Sequence, residues 1–166
     1  MTNADETPLG GETAIELAAR VARAKCTTAM SESESEMALL AADTVVDVDG
    51  VPLGKPVDDG DARRMLRLLA GRSHVVHTAI ALGLRGVVHV RCVSSDVAFR
   101  ALDAGTIDRY VEGGEGRDKA GAYAVQGMGA GLVVEVRGSP SNVIGLPAVE
   151  TIALLIETGV LPRWPR

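Results

Sequence analysis

Aromatic side chains are nearly absent: the 166 residues hold one tryptophan, two tyrosines and one phenylalanine. Nucleic-acid strands are held by stacking bases on aromatic faces and by drawing phosphates onto surplus positive charge. That surplus is missing too, since 17 Lys and Arg face 22 Asp and Glu, a net charge of −5. No nucleic acid polymer is expected as a partner, whereas a small anion in a local basic pocket stays open.

Cysteine is equally scarce. Cys26 and Cys92 lie in unlike surroundings, an alanine-rich helical pattern and a strand pattern, without metal-ligand spacing around either. Free buried thiols are expected, not a disulfide. No apolar run approaches the ~20 residues that a membrane span needs. The start, MTNADETPLGGE, has neither the basic and apolar regions of a secretory signal nor a lipidation motif. A cytoplasmic protein with no membrane partner is the expectation. His74 and His77 are an odd number of residues apart on a strand and face opposite ways, which removes a simple shared metal site. Nucleophile-elbow, Walker and dinucleotide-binding patterns are all missing, so covalent acyl transfer and P-loop phosphoryl transfer lose their support.

What is present is a hydrophobic fraction of 46%, enough for one domain over residues 1–166 with a sizeable core. Helical spacing runs from Thr13 to Met30, where Thr13 and Glu16 make a capping box. SESESE, residues 31–36, reads as a solvated loop. Met37 to Val46 reads as a strand, Asp49-Gly50 as a hairpin turn and Val51 to Leu53 as the returning strand. Asp58 to Ala70 places Ala62, Met65, Leu66 and Leu69 on one helical face. SHVVHTAIALGL and VVHVRCVSSDVAF form a predicted hairpin joined at Arg85-Gly86, covered by helices on both sides. Asp103 caps a short helix bearing Ile107, Tyr110 and Val111. LVVEV is a strand, GSPSN a turn, and Leu146 to Glu157 a helix closed by Gly159. The class is α/β with a mixed β-sheet flanked by helices.

Three positions invite chemistry. Asp43 interrupts the apolar strand LLAADTVV, where an acid either bonds a neighbouring turn or serves a site. Lys55 is pinned between Gly54, which lets backbone approach a ligand, and Pro56, which fixes the next φ. Lys119 precedes a glycine-rich stretch whose amide, Gln126, is flanked by Val125 and Gly127; a ligand contact or a plain surface loop both suit it. Carboxylates and lysines on glycine-shaped turns match metal-assisted attack of water on a phosphoanhydride, in which cations neutralise developing charge and a carboxylate positions the water.

AADTVV, LGKP, AGRSHVVHTAIAL, DKAGAYAVQG and GSPSNVIGLPAVET, in this order, resemble the Maf family of nucleoside triphosphate pyrophosphatases from about Ala4 to Gly159. The resemblance implies an elongated fold like that of inosine triphosphate pyrophosphatases, with a cleft between two lobes. It implies cleavage of a nucleoside triphosphate substrate to monophosphate and pyrophosphate with a divalent metal cation, Mg²⁺ or Mn²⁺, and a homodimer as the assembly. By the same resemblance Asp43 is the catalytic acid, binding metal or activating water, and Glu6 a second acid near the metal. Lys25 and Lys55 face the phosphates, Lys55 sharing in catalysis. Lys119 binds substrate, and Gln126 contributes to both binding and catalysis. The form D-K-A-G-A-Y-x-x-Q-G resembles the branch acting on dTTP and UTP rather than on 7-methyl-GTP. Family members begin with a strand carrying L-A-S-x-S-P-R-R, a phosphate loop that lies before this sequence. Two expectations follow: a longer protein with a misassigned start, or, alternatively, a catalytically impaired Maf-like nucleotide-binding or cell-division regulatory protein.

Overall fold

The computed structural model describes residues 4–33 and 37–165. Five strands, β1 (Leu39–Val48), β2 (Val51–Leu53), β3 (Ser73–Leu84), β4 (Val87–Phe99) and β5 (Val133–Arg137), form one sheet in the order β2-β1-β3-β4-β5. Every pairing among them is antiparallel, which corrects the mixed sheet within an otherwise matching α/β class. The reason lies in the connections: β1 turns into β2 at Asp49-Gly50 and β3 into β4 at Arg85-Gly86, and all four turn residues have positive φ. Tight two-residue turns of this kind join antiparallel neighbours.

The helix α1 (Ala14–Glu32) starts at the capping box: the Glu16 amide donates to Thr13 Oγ1, and the Thr13 amide donates to the Glu16 carboxylate. Its small and apolar face, Leu17, Ala18, Val21, Ala22 and Cys26, packs on Val45, Ala79 and Ala81 of the sheet. Small side chains let helix and sheet approach closely, and a Cβ at Gly83 would run into Met30 and Cys26. The opposite face of the sheet is covered near Val46, Val48, Val76 and Val97 by α2 (Asp59–Leu69) and α3 (Ala104–Glu112), with Leu66 and Leu69 fully buried. Each such leucine contributes roughly 1.5–3 kcal/mol by leaving water. Ile80 and Leu82 meet Leu154 of α5 (Ala148–Glu157) on that same side.

Two further expectations are corrected. GSPSN is not a turn but the start of α4 (Pro140–Ile144), with the Ser139 hydroxyl accepting from the Asn142 amide and Pro140 in the first turn, where its missing N–H costs nothing. Cys92 is exposed while Cys26 is buried, both free, because the packing against α1 takes in Val88 and Val90 on that side of β4 but not Cys92. The expected loop at 31–36 is helical at Ser31 and Glu32, and its residues 34–36 lie outside the described residues. No described helix is long and apolar enough to cross a membrane.

Candidate active site

β2 pairs with β1 only at Val46, Asp47 and Val48. Where that pairing ends, the chain leaves the sheet at Gly54, and a cleft of about 280 Å³ opens along β1. Glu6, Lys25, Asp43, Lys55, Lys119 and Gln126 all line it. The cleft runs between the core beneath α1 and the core beneath α2 and α3.

Asp43 sits opposite Ala79 on β3 and shares a face with Ala41 and Val45, which pack toward α1. That face brings it to Lys25 of α1: Nζ lies 2.6 Å from Asp43 Oδ1 and 2.7 Å from Glu6 Oε1. Lys55 Nζ stands 3.4 Å from the other oxygen of Glu6. Glu6 is carried by an extended segment that Arg20 ties to α1, donating to the carbonyls of Asp5 and Thr7 and to the Glu12 carboxylate. The two backbone contacts bracket Glu6.

One ammonium thus serves two carboxylates, and the sharing is unequal. Burial pushes the Asp43 carboxyl above its ordinary range and the nearby Glu6 charge adds to this, against the pull of Lys25. Glu6 also loses solvation, but the bonds and charges of Lys25 and Lys55 prevail and hold it below its ordinary range. Lys25 is desolvated as well, yet Asp43 and Glu6 keep its ammonium above the usual lysine value. A hard divalent cation takes one or two carboxylates and completes its shell with water and phosphate oxygens. Glu6 and Asp43 fit that requirement, and the ammonium between them occupies a position that favours positive charge. Among the described residues no group of three or more His, Cys, Asp or Glu could hold an ion alone.

The far wall is the segment from Asp118 to Gln126. Its turn Ala120–Ala122 is anchored by the Gly121 amide donating to the Gly54 carbonyl at 3.0 Å, which ties the Lys119 loop to the Lys55 turn. Gly121 has φ +70°, and a Cβ there would lie 3.0 Å from Val46 Cγ2, so glycine is needed for both conformation and approach. Tyr123 anchors the segment from below: its hydroxyl pairs with His74 Nε2 at 2.8 Å, and its ring meets Phe99 edge-on with centroids 4.7 Å apart. Lys119 pairs at 2.9 Å with Asp118, a lining residue that sequence reasoning missed.

Thr44, Val143 and Ile144 were missed too. Thr44 Oγ1 lies 2.9 Å from Thr78 Oγ1, which donates to the Asn142 carbonyl, and this buried chain seats α4 so that Val143 and Ile144 form an apolar wall. The only sequence signal was Thr44 itself, next to Asp43 in AADTVV.

Fold and cleft together define an α/β protein with a carboxylate and lysine site suited to a polyphosphate. The chain belongs to the Maf family, whose model, described as Maf-like protein, matches residues 1–158. It is 44% identical over 159 residues to a dTTP/UTP pyrophosphatase of Shewanella oneidensis, covering 95% of this chain and 82% of the relative. Identity to dTTP/UTP pyrophosphatases of Sphingopyxis alaskensis and Anaeromyxobacter dehalogenans is 47%, covering 94% and 98% of this chain and 82% and 83% of those relatives.

Proposed function

We propose that this protein hydrolyses dTTP and UTP to the nucleoside monophosphate and pyrophosphate in the cleft along β1. The observation that carries the reading is the convergence of Glu6, Lys25, Asp43, Lys55, Lys119 and Gln126 on one cavity, from five separate stretches of chain. The dTTP/UTP pyrophosphatase names of the relatives support the substrate class.

Asp43 is the general base. A carboxyl raised by burial accepts a proton nearer neutral pH than an ordinary one, which suits proton abstraction from water. As the water oxygen bonds to the α-phosphorus, its proton passes to Asp43, the α–β bridging bond breaks, and its electron pair leaves with pyrophosphate. Lys25, Lys55 and Lys119 neutralise the charge that gathers on the phosphate oxygens. The Gln126 amide donates a hydrogen bond to the same group. Mg²⁺ or Mn²⁺ held by Glu6 and Asp43 would supply further charge neutralisation at the phosphates. Val143 and Ile144 add an apolar stretch to the wall of the cleft.

The test is release of pyrophosphate from a panel of dTTP, UTP, dATP, GTP and 7-methyl-GTP with Mg²⁺ or Mn²⁺. Turnover led by dTTP and UTP is expected; turnover confined to 7-methyl-GTP, or none, contradicts the reading.

A further inference from the structure

Gln126 lies in a short arc of backbone held at both ends by a pair of residues outside the cleft. Tyr110, buried on α3, accepts a hydrogen bond from the Ala124 amide at 3.1 Å through its hydroxyl oxygen. The same hydroxyl donates to Glu115 Oε2 at 2.9 Å. Glu115 in turn accepts from the Met128 amide on Oε1 at 2.9 Å and from the Gly129 amide on Oε2 at 2.7 Å. The carboxylate therefore sits in a nest of successive amides that closes the arc two residues beyond Gln126, while the phenol closes it two residues before.

The glycines of VQGMG are shaped by this arrangement. Gly127 has φ +68°, and a Cβ on it would strike the Glu115 carboxylate. A Cβ on Gly129 would strike the Ala124 carbonyl oxygen and come within 2.9 Å of the Tyr110 hydroxyl. The arc is thus wrapped around Glu115 as tightly as backbone allows. Burial opposes ionisation of Glu115, yet its bonds to Tyr110, Gly129 and Met128 keep it below its ordinary range, so it is an anion at neutral pH. Ala124, Val125 and Gln126, the part of the arc that reaches the cleft, are lining residues.

We infer that Tyr110 and Glu115 are positioning residues that set where the Gln126 amide stands in the cleft, and so act on triphosphate hydrolysis without touching substrate. The inference rests on the function proposed above. Its logic is geometric: an exposed amide on a glycine-flanked arc has no fixed place of its own, and two anchors on either side give it one. Misplacing a contact group by about 1 Å costs on the order of 100-fold in rate.

A double-mutant cycle tests it. Glu115→Gln keeps the volume but loses the charge and one acceptor; it is expected to lower kcat/KM on the order of 10- to 100-fold. Tyr110→Phe keeps the buried ring, removes only the hydroxyl, and is expected to act in the same direction if Glu115→Gln lowers the thermal transition. Glu115→Asp restores the charge and should recover part of the loss. If the pair works through Gln126, the double variant Glu115→Gln with Gln126→Ala is no slower than Gln126→Ala alone, within roughly two-fold. Losses that multiply, or full activity in Glu115→Gln, overturn the inference. Should the wild type show no turnover, the proposed function fails, and the same cycle is read from calorimetric binding of a non-hydrolysable α,β-imido analogue of dTTP. Amide hydrogen exchange reads the clamp with no ligand present: faster exchange at Ala124, Met128 and Gly129 in Glu115→Gln is expected, and unchanged exchange there overturns it.

Discussion

Lys25 and Asp43 stand 2.6 Å apart in the cleft, with Glu6 on the same ammonium at 2.7 Å, yet the Asp43 carboxyl remains above its ordinary range because burial strips it of solvent and the Glu6 charge adds to this. An ion pair this close would ordinarily depress the carboxyl. Desolvation wins here, and the outcome is a carboxyl that gives up its proton less readily than an exposed one, its anion held by the cations around it. Such tension is a common mark of groups that transfer protons.

The first prediction concerns Asp43→Asn. Activity falls by 10²- to 10⁴-fold, the usual worth of a general base. Stability behaves differently. A carboxyl raised on folding contributes stability that is complete below its unfolded value and lost as pH rises through the folded value. At pH 7 the native carboxylate is therefore a burden, and the neutral amide relieves it. Thermal unfolding at pH 7 should give a Tm equal to or above that of the wild type, and a clear decrease would show that the Lys25 pair outweighs desolvation.

The local half of this fold was readable from sequence because its signals are local. The Thr13 capping box, the Asp49-Gly50 and Arg85-Gly86 turns and the Asp103 cap each act within four residues, and each stands where expected. What stayed hidden depends on distant partners. GSPSN looks like a turn until Thr78 and Ser95 accept Asn142 into the core, where it is fully buried. Cys92 looks buried in its strand pattern, but the packing against α1 stops at Val88 and Val90 and leaves it exposed. In the site, charged residues stood out against apolar or glycine-rich surroundings. Val143 and Ile144 did not, since an apolar wall resembles any other apolar surface, and Asp118 reads as one more surface acid.

Lys55 and Lys119 are expected to separate binding from folding. Their side chains are about half exposed, so their pairs with Glu6 and Asp118 contribute only about 0–1 kcal/mol. Replacing either with alanine should leave the Tm nearly unchanged while raising the KM for dTTP roughly 10-fold or more, as expected for a charge-assisted bond to phosphate. The effect should shrink as salt is added. Equal losses of Tm and affinity would contradict the assignment.

His74 sets an acid limit on stability. Burial pushes its imidazole down to about 4 from the ordinary 6.5, so the folded protein holds it neutral while the unfolded chain protonates it. Its contribution is present above pH 6.5 and is lost as pH falls toward 4, amounting to about 3 kcal/mol over that window. Urea unfolding at pH 7 and pH 4.5 measures the loss. His74→Phe should flatten that part of the pH dependence, and an unchanged slope would remove His74 as its source.

Gly121 is the junction between the Lys55 turn and the Lys119 loop. Alanine there meets Val46 and must adopt φ +70°, a conformation that costs on the order of 1–3 kcal/mol without glycine. Both stability and turnover should fall, because the amide bond to the Gly54 carbonyl is disturbed. Gly10, with open space around it and no positive φ, is the control, and Gly10→Ala should be neutral in both assays. Equal behaviour of the two variants would contradict this role.

The most direct measurement is pyrophosphate release from dTTP with Mg²⁺, followed side by side for the wild-type protein and Asp43→Asn at matched folded concentrations. The account predicts one pyrophosphate per thymidine monophosphate from the wild type and a rate at least 100-fold lower from the variant. Orthophosphate as the product, or equal rates from the two proteins, would contradict it.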